Sequence, residues 1–224
     1  MGLKMPSKNV TVVIVDDHPL ARTGVRRMLD TADDIQVVAE AGSVEEALNE
    51  IAKVNVRVVV LDISMPGASG MYLLRLLKRT RPEIAVLMLS TYAEETYAIR
   101  ALKSGASGYL TKDAPIAQLV CAVRKAAAGG RHFSASFNER LVQQVQCGSV
   151  SGHHDLSLRE FDVMLRLAIG ESVTSIGAAM FLSPKTISTY RSRIFEKLNV
   201  HNNAELTRYA IEEGLLPTDG PWNA

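Results

Sequence analysis

Five short β-branched and aliphatic runs, spaced by stretches of helical periodicity, constrain the first half of this chain more than any other feature. The runs are Val10–Val15, Ile35–Ala39, Val58–Leu61, Ile84–Leu89 and Gly108–Leu110. Helix punctuation lies between them. Pro19 suits a first helical turn, and Ser43-Val44-Glu45-Glu46 is a capping box. Leu73, Leu74, Leu76 and Leu77 line a third helix that stops before Pro82. A fourth runs from about Ala93 to Ser104 and ends at Gly105, and a fifth from Pro115 to Gly129-Gly130. Repeated strand–helix alternation means a parallel sheet covered on both faces. The expected fold class is an α/β domain with a five-stranded parallel doubly wound sheet, joined by a linker to an all-α four-helix domain.

Such a sheet gathers chemistry at the C-terminal tips of its strands. Asp62 follows the third run directly, and Asp16 and Asp17 follow the first. Neighbouring strands would bring three acids to one edge. Three like charges so close do not all stay ionised without a cation, so the cluster asks for a divalent metal. That suits Mg²⁺-assisted capture of a phosphoryl group on Asp62. Taken singly, Asp16 or Asp17 reads as a loop or cap residue, and Lys112 as a solvated lysine. His18, beside the acids, reads as a helix-start residue rather than a ligand.

The apolar fraction of 47% over 224 residues supports two packed cores rather than a disordered chain. Residues 10–128 form the first domain and 129–153 a linker with one short helical candidate, Asn138 to Gln146. Residues 154–216 form the second domain, flanked by tails at 1–9 and 217–224. Four helices are expected in the second domain. The first is capped by the box Ser157-Leu158-Arg159-Glu160 and runs through Ile169 to Gly170. Val173–Phe181 is the second. Ser183 and Pro184 start the third, which runs to about Leu198, and Asn202 caps a fourth that ends at Gly214.

Cys121 and Cys147 lack metal spacing and fit a reducing compartment, as a buried helix thiol and a linker thiol. His153-His154 has no partner at ligand spacing and reads as solvated. No apolar stretch approaches the roughly 20 residues of a membrane span, so the expectation is a cytoplasmic protein with no membrane partner. No G-x-G-x-x-G follows the first strand, which disfavours a dinucleotide-binding site. From His153 onward seven Lys/Arg face nine Asp/Glu, a net of −2. Only a local argument for nucleic acid survives, since Lys185, Arg191, Arg193 and Lys197 face Glu196 alone.

Four motifs in order, Val15-Asp16-Asp17-His18-Pro19, Leu61-Asp62-Ile63-Ser64-Met65-Pro66-Gly67, Ser90, and Tyr109-Leu110-Thr111-Lys112, resemble the receiver domain of two-component response regulators. The resemblance spans about residues 10–128 and implies a flavodoxin-like fold. It implies Asp62 as phosphoacceptor, with Asp16, Asp17, Asp62 and the Ser64 carbonyl around Mg²⁺. Lys112 and Ser90 would contact the phosphoryl oxygens, and Ser90 with Tyr109 would form the switch. Ser69 stands where many receivers have Asp, which should affect the loop cap and not the chemistry.

Leu156-Ser157-Leu158-Arg159-Glu160, Ile176, the run Leu182–Ile194 and Lys197-Leu198-Asn199-Val200 resemble a LuxR-type helix-turn-helix. The whole chain is similar to the NarL/FixJ family, and Lys185–Leu206 is similar to its GacA/UvrY subgroup. That implies a DNA-binding response regulator phosphorylated by a sensor histidine kinase, a homodimer when phosphorylated that binds promoters to control transcription, with RNA polymerase as a further partner and no enzymatic turnover. On the third helix, Ile187, Ile194 and Leu198 share an inward face. The other face offers Lys185, Arg191 and Arg193 to phosphates, and Ser188, Thr189 and Ser192 to base edges, with Thr186 beside them. Leu206, Tyr209 and Ala210 are candidates for the dimer contact, with core packing equally open for Leu206. Gly177, where alanine is common, and the bulky Met180-Phe181 depart from the family pattern and put turn packing and DNA affinity in doubt. Two other readings remain: a Mg²⁺-dependent phosphohydrolase, against which Ser64 stands where a general acid would, and a binding module that works without phosphorylation.

Overall fold

The computed structural model describes residues 10–65, 69–91, 94–139, 141 and 152–216. The chain divides between Phe137 and Asn138 into two compact units. In the first, β1 (Val10–Val15), β2 (Ile35–Ala41), β3 (Val58–Asp62), β4 (Ala85–Ser90) and β5 (Gly108–Thr111) form one parallel sheet in the order β2-β1-β3-β4-β5. The helices are α1 (Pro19–Leu29), α2 (Val44–Lys53), α3 (Gly70–Thr80), α4 (Glu94–Lys103) and α5 (Ile116–Ala127). Helices α1 to α4 each connect consecutive parallel strands and α5 follows the last strand, as the sequence periodicity requires.

Both sheet faces are dry. Val12, Ile14, Val58, Val60, Leu87 and Leu110 pack with Val25, Leu29, Leu119 and Val123 of α1 and α5. Alternate residues Val13, Val15, Val59, Leu61, Val86 and Met88 are equally buried on the opposite face. This explains the unbroken apolar runs in the sequence: a strand covered on both sides has no solvent face to mark with polar residues. Ser43 caps α2 by accepting the Glu46 N–H, as its box predicts. Ser69 precedes α3 without a side-chain cap bond, so the serine contributes nothing there. Cys121 lies exposed on α5, contrary to the expected buried thiol.

The segment leaving α5 stays with the first unit rather than starting a free linker at 129. His132 bridges Gly108 in parallel: its carbonyl accepts the Tyr109 N–H at 3.0 Å and its N–H donates to the Ser107 carbonyl at 2.8 Å. Ser134 N–H donates to Glu94 Oε1 at 3.0 Å. Residues 135–139 are helical, earlier than the expected start at Asn138, and Phe137 is buried. The rest of that candidate, other than residue 141, lies outside the described residues.

The second unit opens with a 3₁₀ turn, His153–Asp155, followed by α6 (Leu158–Ala168), α7 (Val173–Met180), α8 (Pro184–Leu198) and α9 (Asn203–Glu212). Three of the four helices begin on the expected side-chain caps, Ser157, Ser183 and Asn202, and the remaining one is capped by Ser172, which is not among the expected caps. Phe161, Met164, Leu165, Ile176, Ile187, Ile194, Leu198, Leu206 and Ala210 are buried. Gly177 has a packing reason: a Cβ there would meet the Leu182 carbonyl oxygen at 2.8 Å, so the glycine lets the α7–α8 turn close. His153 is buried, not solvated, and its N–H donates to the Tyr209 hydroxyl at 2.9 Å.

A charge pair between the buried Glu160 carboxylate and the exposed Lys197 ammonium crosses this domain. Glu160 closes the capping box through Ser157 N–H and also takes Lys197 Nζ at 2.7 Å. Burial pushes the Glu160 carboxyl up, but hydrogen bonds from Lys197 and Ser157 outweigh it, and the net shift is downward. A depressed acid stabilises the fold above its unfolded value and stops doing so as pH falls through its folded value. Acidification below the ordinary glutamate range should therefore weaken this domain. Lys197→Ala should cost about 2 kcal/mol at neutral pH and remove part of that acid dependence, measured by urea unfolding across pH. In the first unit, a Cβ on Gly70 would lie 1.9 Å from the Asp62 carbonyl oxygen. Gly70→Ala should therefore displace α3 or β3 and cost about 1–3 kcal/mol, read by thermal unfolding.

Candidate phosphoacceptor site and nucleic-acid interface

The register of the central strands assembles the acidic site. Val15 pairs with Leu61, so the next residues, Asp16 and Asp62, emerge side by side. Asp62 in turn pairs with Leu89, and Ser90 with Thr111, one residue before Lys112. One ligand atom from each of Asp16, Asp17, His18 and Asp62 falls within 4.8 Å of the others. Asp16 and Asp62 are each 2% exposed, which makes their charges expensive to hold without partners.

Lys112 supplies part of the compensation. Its Nζ lies 2.7 Å from Asp16 Oδ2 and 2.9 Å from Asp62 Oδ2. Burial works against the Lys112 ammonium, but the two carboxylates outweigh it and raise its pKa, so the cation persists. Asp62 stays raised even so. Burial is the largest cause, the Lys112 hydrogen bond opposes it, and the neighbouring Asp16 adds repulsion. One cation does not satisfy the cluster. Asp16 Oδ2 and Asp17 Oδ1 are buried and make no directed hydrogen bond among the described residues. The first of these oxygens is met by the Lys112 ammonium at 2.7 Å and the second by His18 Nδ1 at 3.0 Å. Three carboxylates around a common centre, with one lysine among them, fit a hard divalent cation, which takes oxygen ligands and keeps several waters.

The other residues of this site fall as follows. Ser64 N–H donates to Asp62 Oδ1 at 3.3 Å. Ser90 is fully buried at the end of β4, and Lys112 N–H donates to its carbonyl at 2.8 Å. Tyr109 is 2% exposed, its ring inside the fold. His18 does start α1, without a side-chain cap bond, and also stands against Asp16 and Asp17. Pro66, Gly67 and Tyr92 lie outside the described residues.

The second site is the face of α8. Ile187, Ile194 and Leu198 are buried, which turns Lys185, Thr189, Ser192 and Arg193 to solvent. Ser188 and Arg191 are half-buried, and the Arg191 guanidinium lies 5.9 Å above the Phe195 ring. The Thr189 and Ser192 hydroxyls donate back to the Lys185 and Ser188 carbonyls. Thr186 is committed to the helix start, its hydroxyl 2.8 Å from that of Ser183. Lys197 is occupied by Glu160, so the local positive charge available to a polyanion is smaller than composition suggests. The pairing was not legible because Glu160 and Lys197 are far apart in sequence and each had an ordinary surface role.

The candidate dimer residues need correction. Leu206 and Ala210 have no exposed surface and belong to the domain's own core. Tyr209 is half-buried, with its hydroxyl on His153. Burial pushes the Tyr209 phenol up, against the His153 backbone bond. The face of α9 open to solvent carries Asn203, Ala204, Arg208 and Glu212 instead.

Comparison with known proteins agrees with this arrangement at both ends of the chain. Residues 12–124 match the response regulator receiver domain, and residues 154–210 match the bacterial regulatory proteins of the luxR family. The response regulator GacA of Pseudomonas protegens is 40% identical over 208 residues, covering 92% of this chain and 98% of the relative. The response regulator UvrY of Escherichia coli strain K12 is 36% identical over 208 residues, with 92% and 95% covered. Among solved structures, RcsB of Salmonella typhimurium aligns with a TM-score of 0.71 at 26% identity, over 92% of this chain and 98% of that one. RcsB has also been solved bound to the promoter P1flhDC with a phosphomimetic, and that structure aligns with a TM-score of 0.66 at 27% identity over 90% of this chain and 98% of that one. With a receiver sheet that gathers Asp16, Asp17, Asp62 and Lys112 at one edge and a LuxR-type helical domain later in the sequence, this chain belongs to the DNA-binding response regulators of two-component systems.

Proposed function

We propose that Asp62 is the phosphoacceptor of this regulator and that Mg²⁺ binds between Asp16, Asp17, Asp62 and the Ser64 carbonyl. The observation that carries this reading is the convergence of the Asp16, Asp17 and Asp62 carboxylates, with ligand atoms within 4.8 Å of one another, around a single lysine, with the Asp62 carboxyl already raised by burial. The metal supplies charge neutralisation for an incoming phosphoryl group. The chain's own residues do the rest. Asp62 Oδ attacks phosphorus, the donor's bond to phosphorus breaks, and the phosphoryl group stays on the carboxylate. Lys112, held by two acids, stabilises charge on the phosphoryl oxygens. Ser90, one strand over, offers its hydroxyl to them, and Tyr109 follows that movement. A sensor histidine kinase is the donor.

Phosphorylation favours a homodimer, which doubles a weak half-site and reads a two-fold promoter. Lys185, Arg191 and Arg193 hold phosphates, while Ser188, Thr189 and Ser192 reach base edges once their hydroxyls release the helix carbonyls. The solvent face of α9 supports the pairing of the DNA-binding domains, and RNA polymerase is a partner at the promoter. The protein acts in the cytoplasm, where DNA and kinase meet; among the described residues no helix is long and apolar enough to cross a membrane. The regulator does not turn over substrate: the position two residues after Asp62 is Ser64, which has no carboxyl to act as general acid.

Mg²⁺ at ten times its dissociation constant should raise stability by about 1.4 kcal/mol, seen as a shifted thermal midpoint. Asp62→Asn should abolish that shift and all labelling by acetyl phosphate while leaving circular dichroism unchanged. Persistent labelling of the variant would remove Asp62 from its role. Arg193→Ala should weaken DNA binding and reduce the slope of log affinity against log salt by about 1. An unchanged slope counts against the phosphate assignment.

A further inference from the structure

Most described helices here end in a left-handed residue, and the choice of residue is informative. Gly105, Gly129, Gly170 and Gly214 take positive φ after α4, α5, α6 and α9, and Asn199 does so after α8 with φ 53° and ψ 45°. Glycine and asparagine are the residues that tolerate this conformation. After α7 the same conformation, φ 54° and ψ 42°, is held by Phe181. A bulky side chain there is strained. Packing gives nothing back, because Phe181 is 74% exposed.

The strained aromatic therefore costs stability through its backbone and recovers almost none of it by burial. Its place in the chain suggests what offsets this. Phe181 sits two residues before Ser183, the cap of α8, and Ser183, Pro184 and Lys185 are all exposed. It thus continues the solvent surface of the N-terminal end of α8, the end of a recognition helix that approaches base edges. Gly177 fixes it there, since the Leu182 N–H donates to the Gly177 carbonyl at 2.8 Å and a Cβ at 177 would push the turn away.

Resting on the reading of α8 as the DNA-binding helix, we propose that Phe181 is an additional DNA contact, laying its ring on the apolar face of a deoxyribose or a thymine methyl beside the groove. Such a contact carries no charge and so adds affinity without adding to salt dependence.

The test uses the full chain with Mg²⁺ and acetyl phosphate, and duplexes that the wild type enriches from a random-sequence pool. Phe181→Asn fits the left-handed turn and should raise the thermal midpoint of the DNA-binding domain by a few degrees. The same variant should bind the enriched duplexes about tenfold more weakly with an unchanged salt slope. Phe181→Tyr should keep the binding. A lowered midpoint in Phe181→Asn overturns the proposal, because the ring would then be packing the domain. Wild-type affinity in Phe181→Asn also overturns it, and if transcription fails while binding holds, the ring serves a protein partner instead. Failure of the wild type itself to enrich any duplex overturns the reading of α8 rather than that of Phe181 alone.

Discussion

The receiver domain is organised around an electrostatic conflict that its own residues only partly resolve. Two carboxylates, each almost fully removed from water, share one ammonium, and a third carboxylate stands beside them. At an effective dielectric of about 20, two charges 4 Å apart interact by roughly 4 kcal/mol. One lysine against three acids leaves a residual demand for positive charge of the same order. A divalent cation at this edge would meet that demand, and the charge of a phosphoryl group brought in beside it would then be opposed. A fully neutralised cluster would be more stable and less reactive. The register Val15–Leu61 converts a sequence of two separated motifs into this single site.

Much of this was legible because it follows from strand ends. A buried parallel strand announces itself as an apolar run, and the acid that terminates it can point only to the sheet's edge. Asp16, Asp17 and Asp62 were readable on that rule, whereas the places of Ser90 and Lys112 beside them followed only from the resemblance to receiver domains, since Lys112 alone reads as a solvated lysine. What escaped the sequence was pairing across elements. Glu160 had a complete local role in its capping box, so nothing marked it as the partner of Lys197. Leu206, Tyr209 and Ala210 lie on one helix at spacings that suit either a partner or a core, and periodicity does not separate the two. Burial does: the first and last have no surface left. Cys121 failed in the other direction, since helical spacing alone did not reveal that its face of α5 is open.

The DNA-binding domain shows how little positive charge such a module needs to carry on its surface. Lys197 is taken by Glu160, and Arg191 rests over Phe195, which leaves Lys185 and Arg193 as the freely exposed cations of α8. So few free cations on the helix make for weak binding to a polyanion at physiological salt. Affinity must therefore come from doubling the module or from contacts that are not ionic, and hydroxyls poised on helix carbonyls supply directional groups at small cost. A regulator benefits from a weak monomer, because occupancy then depends on the event that brings two together.

A phosphoryl group biases only those elements that contact it differently in two states. In this chain the backbone through which such a bias must pass is short. Lys112 N–H donates to the Ser90 carbonyl, Ser90 pairs with Thr111, and two residues earlier Tyr109 N–H donates to the carbonyl of His132. His132 is therefore bonded alongside β5, the strand that carries Tyr109 and runs into Lys112. Glu94, at the start of α4, holds the next turn of that segment through Ser134. Gly108 is what allows it, since a Cβ there would meet the His132 carbonyl oxygen at 2.5 Å. A shift of β5 or α4 by a fraction of an ångström strains these bonds directly, because a main-chain hydrogen bond loses strength steeply with distance and angle. The exit from the receiver is thus held by the two elements that border its site, and the chain that follows begins from a position those elements set.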